Sequence, residues 1–301
     1  MDANHLGLLL DGYEIDKETS CSRQVSLFMD TILGWQFKIH NHGFVRVVDY
    51  MGTDAAIVQA ARVSYGEGTT TKSSDDGLIR YLIENKHTSP IEQVRIKFHL
   101  KMPIFVARQH LRHRMASVNE YSGRYSIMGD EVYIPAPEFI NVQSADNKQG
   151  RGQTMSAEDA QKVTDILNQM AESSQKQYHD LLDLDLTREL ARIGLGLNTY
   201  TEFYWTIDLH NLFHFLNLRL HPHAQKEIRD YAEVILLILR GWVPSATAAF
   251  ENFILNGMQL SDAAQRYLRH RINAPYDLIP MVPGMSSFST ENTTTELAFS
   301  I

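Results

Sequence analysis

Apolar residues recur along this chain with two different periods. Val94, Ile96, Phe98 and Leu100 alternate with Arg95, Lys97 and His99, the period of two that marks a half-buried strand. FVRVVDY (44–50) reads as a second strand. TDAAIVQAARVSY (53–65) has helical spacing, starting at Thr53 or Asp54 and ending near Ser64; a loop over 66–77 then leads into a helix at 78–87. Pro103 suits the first turn of a helix covering 103–116, where its missing N–H removes no hydrogen bond. Residues 141–153 read as a polar linker. Ser156 with Asp159 forms a capping-box start, and Val163, Ile166, Leu167, Met170, Leu181 and Leu182 behind it give a long amphipathic helix. Further helices are expected at 188–197, 208–219 and 223–240. Residues 1–42 are poorly patterned and read as an extension, and 284–301 is a Ser/Thr-rich stretch expected to be mobile. This mixture, without an internal repeat, predicts an α+β fold with helices packed on a mostly antiparallel central sheet.

Composition narrows the function classes. The 301 residues are 44% hydrophobic and 21% charged, which predicts a packed core. A net charge of −8 argues against broad nucleic-acid or membrane binding and leaves room for a local basic pocket. No apolar run approaches the roughly 18 residues of a spanning helix. The first residues, MDANHLGLLLDGYEID, lack the basic region of a signal peptide. The single cysteine, Cys21, excludes an intrachain disulfide framework and a cysteine-cluster metal site, and a reducing, cytoplasmic setting is expected.

Against this acidic background, residues 108–126 hold four arginines (108, 112, 114 and 124) and one glutamate (120). On the helix expected over 103–116, Gln109, Arg112 and His113 line one side, with Arg108 and Arg112 also in register. Arginine offers a planar fork of donors matched to phosphate and carboxylate. Ser122, Gly123 and Ser126 add hydroxyls and an unobstructed backbone where a ligand can come close. Taken as a bare RHR triplet, the same residues read more readily as a solvated basic face followed by a capped turn.

The full string is more specific. Arg112, His113, Arg114, Ser117, Asn119, Glu120, Ser122, Arg124, Tyr125 and Ser126 spell R-H-R-x-x-S-x-N-E-x-S-x-R-Y-S, which resembles the signature of the flavin-dependent thymidylate synthases. The resemblance extends to ARVSY (61–65), HTSPIEQ (87–93), PIFVARQ (103–109) and the segment from ELARIGLGLNTYTEFYW to FLNLRLHPHAQ (189–225). It spans about 43–257 and so divides the chain into an N-terminal extension (1–42), a catalytic domain (43–257) and a C-terminal extension (258–301).

The resemblance implies reductive methylation of dUMP to dTMP. Methylenetetrahydrofolate is the implied carbon donor and NADPH the implied reductant, acting through bound FAD. It also implies a homotetramer whose active sites are shared between subunits. Carried over position by position, Gln109, Arg112, Glu120, Ser122, Gly123, Arg124, Arg192 and Arg219 match dUMP-binding positions, with Arg219 the catalytic cation beside the uracil ring. Ser64, His87, Ser89, Arg112, His113, Arg114, Met115 and Glu120 match flavin-binding positions, and His87 and His113 also fall near the folate. Asp208, His210 and His214 stand where the family often has Asn, Arg and Asn against the flavin, a departure that changes the hydrogen-bonding chemistry. The implied mechanism needs no thiol, so Cys21 is expected to be inert, and Ser122 is expected to bond substrate because no histidine adjoins it in sequence.

Rival readings rest on the same residues. His210 and His214 are four apart on a predicted helix near Asp208, His221 and His223, a spacing that can hold zinc, although HNLFH lacks the glutamate of the H-E-x-x-H pattern. The RHR helix is also compatible with nucleic-acid binding, but no wider basic stripe accompanies it. Arg192 can be neutralised by Glu189 or Asp185 nearby in sequence.

Overall fold

The computed structural model describes residues 23–63, 74–145, 150–258 and 260–273. The chain divides into two compact units, Met1–Asn256 and Gly257–Ile301. The first is α+β, as the pattern predicts. Its sheet contains β1 (Gln36–Ile39), β2 (Gly43–Met51), β3 (Arg95–Pro103), β4 (Ala116–Glu120) and β7 (Tyr200–Asp208), in the order β1-β2-β3-β7-β4. Every neighbouring pair is antiparallel. A separate two-stranded ribbon pairs β5 (Asn141–Gln143) with β6 (Arg151–Thr154).

The alternation along β3 separates two faces. Ile96, Phe98, Leu100 and Met102 are buried on one of them. That face belongs to the same core as Leu212, Phe215 and Leu216 of α7 (Leu209–Arg219) and Ile228, Tyr231 and Ile235 of α8 (Lys226–Trp242). The other face carries a polar ladder. Arg46 donates to His99 Nδ1, so His99 carries its proton on Nε2 and donates to Glu202 at 2.9 Å. Lys101 pairs with Glu202 at 3.2 Å and also with Glu131. Burial, reinforced by the Arg46 charge, pushes the His99 pKa down, in keeping with that neutral ring.

Other helices complete the unit: α1 (Leu27–Ile32), α2 (Asp54–Arg62), α3 (Asp75–Glu84), α4 (Ile104–His110), α5 (Ala157–Asp183), α6 (Arg188–Ala191) and α9 (Pro244–Phe250). The capping box at the start of α5 forms: Asp159 N–H donates to Ser156 Oγ at 3.1 Å. The Asp54 carboxylate at the start of α2 accepts from the N–H groups of Ser245 and Ala246 at 2.9 and 3.0 Å, joining α2 to α9. In the second unit the described helix is α10 (Asp262–Asn273).

Several expectations need correction. Residues from Ser26 onward do not trail as an extension: Met29 and Ile32 of α1 are buried, and β1 pairs with β2. With six residues in α1 and four in β1, neither sustains a period long enough to stand out. The helix expected over 103–116 stops at His110, and the chain re-emerges as β4, an edge strand whose residues are mostly exposed and so show no apolar alternation. The helix expected at 188–197 is the short α6 followed by a 3₁₀ turn, Arg192–Gly194. β7, a central strand, is unexpected, although Phe203, Trp205 and Ile207 alternate with Glu202, Tyr204 and Thr206 along it.

The linker at 141–153 contains the β5–β6 ribbon. Arg151 anchors it to buried Glu227 of α8 at 2.6 Å, and Tyr133 donates to the same carboxylate at 2.9 Å. Burial alone would raise the Glu227 pKa, but the hydrogen bonds and charge of Arg151, with the bonds from Tyr133 and the backbone, together outweigh that and hold it below the usual carboxylate range. Cys21, Ser64 and the 284–301 tail lie outside the described residues. Among the described residues no helix is long and apolar enough to cross a membrane.

One close approach in this frame is testable. Tyr231 donates its hydroxyl to Lys101 O at 2.6 Å, and a Cβ placed on Gly43 would lie 2.1 Å from that hydroxyl oxygen. Gly43→Ala is expected to cost about 1–3 kcal/mol from overpacking, and Tyr231→Phe about 1 kcal/mol from the lost hydrogen bond. Because phenylalanine removes the nearest clashing atom, leaving the Ile39 and Lys101 carbonyl oxygens at 2.8 and 3.0 Å, chemical denaturation should show the double variant to be less destabilised than the two losses added; strict additivity would contradict this contact.

Candidate active site

The β4–β7 register builds the site. Ala116 pairs with Ile207, so the turn that leads from α4 into β4 lies beside the junction where β7 becomes α7. A cavity of about 450 Å³ opens there. Arg112, His113, Arg114 and Met115 line it from the turn, Ile207 from β7, and Asn211, His214, Leu218 and Arg219 from α7. The helix continuation expected to align Gln109, Arg112 and His113 does not exist; the turn after His110 gathers the last two instead.

Arg219 organises the interior. Its Nε donates to His113 Nε2 at 3.0 Å and its Nη2 donates to the Gln109 carbonyl at 3.1 Å. A guanidinium only donates, so His113 Nε2 accepts and the neutral ring carries its proton on Nδ1. Burial first, then the charges of Arg219 and His214, lower the His113 pKa from 6.5 to about 4. Behind it His110 is fully buried, 4.2 Å from the Trp205 ring and 4.7 Å from that of Phe215, and burial pushes its pKa well down. Arg112, Arg114 and Arg219 have no carboxylate partner among the described residues. Three cations without counter-charge at one cavity form a site for an anion such as phosphate.

A second arginine cluster lies beyond β4. The chain turns with the N–H groups of Tyr125 and Ser126 both donating to Ser122 O at 3.1 Å. Gly123 is needed there: a Cβ would stand 2.8 Å from Met128 Sδ and 3.2 Å from Arg192 Cδ. The glycine thus lets the Arg192 stem lie along the turn. Arg124 Nε donates to Glu189 at 2.8 Å, and Arg188 donates to Tyr125 O at 2.7 Å. Glu189 is therefore the partner of Arg124 rather than of Arg192, which has no carboxylate partner among the described residues.

The positions expected to bind ligand thus fall into two groups on one chain. Gln109, Arg112, His113, Arg114, Met115, His214 and Arg219 gather at or against the cavity, and Ser122, Gly123, Arg124 and Arg192 at the turn. Others have different contacts. Glu120 accepts from Thr201 Oγ1 at 2.7 Å. His87 is exposed with its ring edge-on to Tyr81 at 5.6 Å, and the Ser89 carbonyl accepts from Gln93 at 3.3 Å. Asp208 is 8% exposed and caps α7, with Oδ1 accepting from Asn211 N–H at 2.9 Å and Oδ2 from Asn211 Nδ2 at 2.8 Å. Both of its oxygens serve the helix start. His210 is half-buried and does not line the cavity.

Among the described residues no group of three or more His, Cys, Asp or Glu side chains is placed to hold a metal ion, so the zinc reading of 208–223 finds no support. Asn211 and Leu218 are lining residues that the sequence reading missed; their spacing to His214, three before and four after, puts them on its face of α7.

An antiparallel sheet with helices on one face and an arginine-rich, carboxylate-free cavity at a strand–helix junction define a class: an α+β protein with a binding site for an anionic ligand. The family model for thymidylate synthase complementing protein matches residues 46–245. A flavin-dependent thymidylate synthase of Gluconobacter oxydans is 53% identical over 254 residues, covering 83% of this chain and 84% of that protein. One of Treponema denticola is 56% identical over 238 residues, covering 79% and 90%. Among solved structures, a UMP/dUMP methylase, PolB, from Streptomyces cacaoi bound with 5-Br dUMP matches with a TM-score of 0.66 at 32% identity, covering 73% of this chain and 99% of that one. The chain belongs to the family of the flavin-dependent thymidylate synthases.

The neutral His113 predicts an acid-stability effect. An unfolded chain protonates this ring near 6.5, the native site only near 4. The stability that its neutral state contributes is complete above pH 6.5 and is lost as pH falls toward 4. His113→Gln keeps an acceptor for Arg219 but does not titrate. Its melting temperature should therefore decline less steeply than wild type across that window, with the remaining slope left to His110 and the paired carboxylates. Equal slopes would show that the His113 ring titrates as it does in water.

Proposed function

We propose that this protein methylates dUMP reductively to dTMP, taking the carbon from methylenetetrahydrofolate and electrons from NADPH through bound FAD. The observation that carries the reading is the set of guanidiniums without carboxylate partners at the cavity, on a chain of net charge −8. The names of the relatives support it: those proteins are flavin-dependent thymidylate synthases, and the solved structure is a UMP/dUMP methylase holding a brominated dUMP.

The residues present fit a flavin dinucleotide and a nucleotide. Arg112 and Arg114 supply charge for a diphosphate, and His113, Met115 and His214 supply ring and thioether surface for a flat heterocycle. Ser64, His87 and Ser89 are assigned to the same cofactor by resemblance alone. When bound, FAD would supply the hydride chemistry, which no protein side chain provides. Arg219 is the proposed catalytic cation, stabilising the negative charge that develops on the uracil carbonyls. The neutral His113 accepts from Arg219 Nε and so fixes the direction of its fork. Gln109, Glu120, Ser122, Gly123, Arg124 and Arg192 complete the proposed dUMP contacts, the last four at the turn.

Each active site is proposed to be shared within a homotetramer, the cavity of one subunit receiving the 122–126 turn and Arg192 of another. The separation of the two clusters supports this, as do large apolar side chains beside them that one chain leaves bare: Met115 is 72% exposed, Tyr125 75% and Ile193 75%.

Purified protein is expected to show the absorption of bound flavin and to oxidise NADPH faster when dUMP is added, with dTMP as the product. A colourless protein that takes up no flavin would refute the reading. Arg219→Ala should lower turnover by about a hundredfold while flavin binding changes far less; equal losses in both would reassign the residue. Arg219→Ala and Arg192→Ala chains, each inactive alone, should recover activity when co-assembled, since some sites then combine two intact halves. Mixed assemblies that stay inactive would show that the sites are not shared.

A further inference from the structure

Three of the side chains that line the arginine cavity, Arg112, Arg114 and Arg219, can only donate hydrogen bonds. Asn211 lines it too and differs from them. Its Nδ2 donates to Asp208 Oδ2 at 2.8 Å, and its backbone N–H donates to Asp208 Oδ1 at 2.9 Å. An ionised carboxylate only accepts, so the Asn211 amide cannot turn over without setting its own oxygen against Asp208. The direction of its Oδ1 is therefore fixed. That oxygen has no hydrogen-bond partner among the described residues and is open to solvent.

A fixed acceptor in a cavity of donors sorts ligands. A phosphate oxygen is drawn to the guanidiniums and repelled by a carbonyl oxygen, and a ring N–H behaves in the opposite way. Asn211 precedes Arg219 by eight residues, about 12 Å along the helix axis and further than one pyrimidine ring reaches. The two side chains thus meet different parts of what the cavity holds. His214 follows Asn211 by three residues on the same face of α7, and its ring centre lies 6.0 Å from that of His113. Those rings give a flat heterocycle a surface beside the Asn211 oxygen.

We propose that Asn211 determines specificity in this site. Its carbonyl oxygen accepts from an N–H on a heterocycle of the flavin dinucleotide whose diphosphate the arginines hold, and Asp208 positions that oxygen. The inference rests on the reading of the cavity as a flavin site and adds to it a residue that the resemblance does not assign. FAD offers two donors of this kind, the imide N–H of the isoalloxazine and the exocyclic amine of adenine.

Two FAD analogues separate them, one methylated at the imide nitrogen and one with hypoxanthine in place of adenine. Dissociation constants for FAD and both analogues are measured on the full-length protein by flavin fluorescence. Wild type should bind one analogue about tenfold more weakly than FAD, which identifies the donor. Asn211→Leu, similar in size but without the amide, should bind FAD about tenfold more weakly than wild type, and that analogue no more weakly than FAD. Asp208→Asn keeps the helix cap but sets a second NH2 against Asn211, so the Asn211 amide turns over and its oxygen leaves the cavity. Its melting temperature should stay near that of wild type while its affinity for FAD falls as in Asn211→Leu. Unchanged FAD affinity in either variant, no discrimination between FAD and the analogues by wild type, or a loss in Asn211→Leu that is the same for all three ligands would overturn the proposal. Wild-type protein that takes up no FAD would overturn the flavin reading itself, and this inference with it.

Discussion

A slip of one residue between β4 and β7 would move Arg114 and Met115 out of step with Ile207 and break up the arginine cavity, because successive side chains of a strand point to opposite faces. Yet β4 is short, mostly exposed and polar, so no apolar face of its own locks the register. The lock lies on either side of it. Upstream, the last residue of α4, His110, is wedged among Phe203, Trp205 and Phe215 with ring distances of 4.2 to 5.5 Å. Downstream, Tyr121 N–H donates to Glu202 O at 2.8 Å. The turn between has five residues, 111–115, and so little freedom to shift. β7 in turn is held by nine paired positions along β3, from Arg95↔Asp208 to Pro103↔Tyr200. The placement of the site thus descends from the apolar core through β7 to a loop that meets the core at Leu111 and His113.

The electrostatics follow from that placement. Elsewhere among the described residues several cations have near acids: Lys101 with Glu131 and Glu202, Arg151 with Glu227, Arg240 with Glu251. At the cavity the turn and α7 meet with arginines on both sides and no acid between them. Like charges so placed repel, and a protonated His113 beside Arg219 and His214 would add to the repulsion. Burial first, then these charges, depress its pKa: the ring stays neutral and accepts a hydrogen bond from Arg219 instead of opposing it. The arrangement remains short of negative charge, which is what makes it attractive to a phosphate.

Much of this was legible in the residues. The period of two along 94–100, the capping box at Ser156 and the apolar spacing of α8 each rest on local preferences that the fold does not override. The signature string located the arginine turn without any knowledge of structure. Three things were not legible. β4 has no periodic signal, because an edge strand with two exposed faces needs none. α1 and β1 are too short for periodicity, and their place in the core comes from contacts such as Tyr50 donating to Asp30 at 2.6 Å. Asp208 matches a position that resemblance assigns to the flavin, but an aspartate just before an apolar helix is also a strong N-cap, a role the sequence reading did not give it.

Glu189 shows how the turn tolerates its charge. Arg124 and Glu189 are each 55% exposed, and such surface pairs contribute about 0–1 kcal/mol. An incoming phosphate, with more charge and more acceptor oxygens, can replace that carboxylate at small cost and engage the Arg124 fork more fully. Arg192, whose stem lies against Gly123 and which has no acid to displace among the described residues, is available at once. The turn therefore combines one guanidinium held in place by a weak, exchangeable partner with one left without a partner. Rigidity at Arg124 lowers the entropy lost on binding, and the vacancy at Arg192 supplies the gain in charge pairing. A stronger, buried counter-ion in place of Glu189 would hold the loop better and bind phosphate worse.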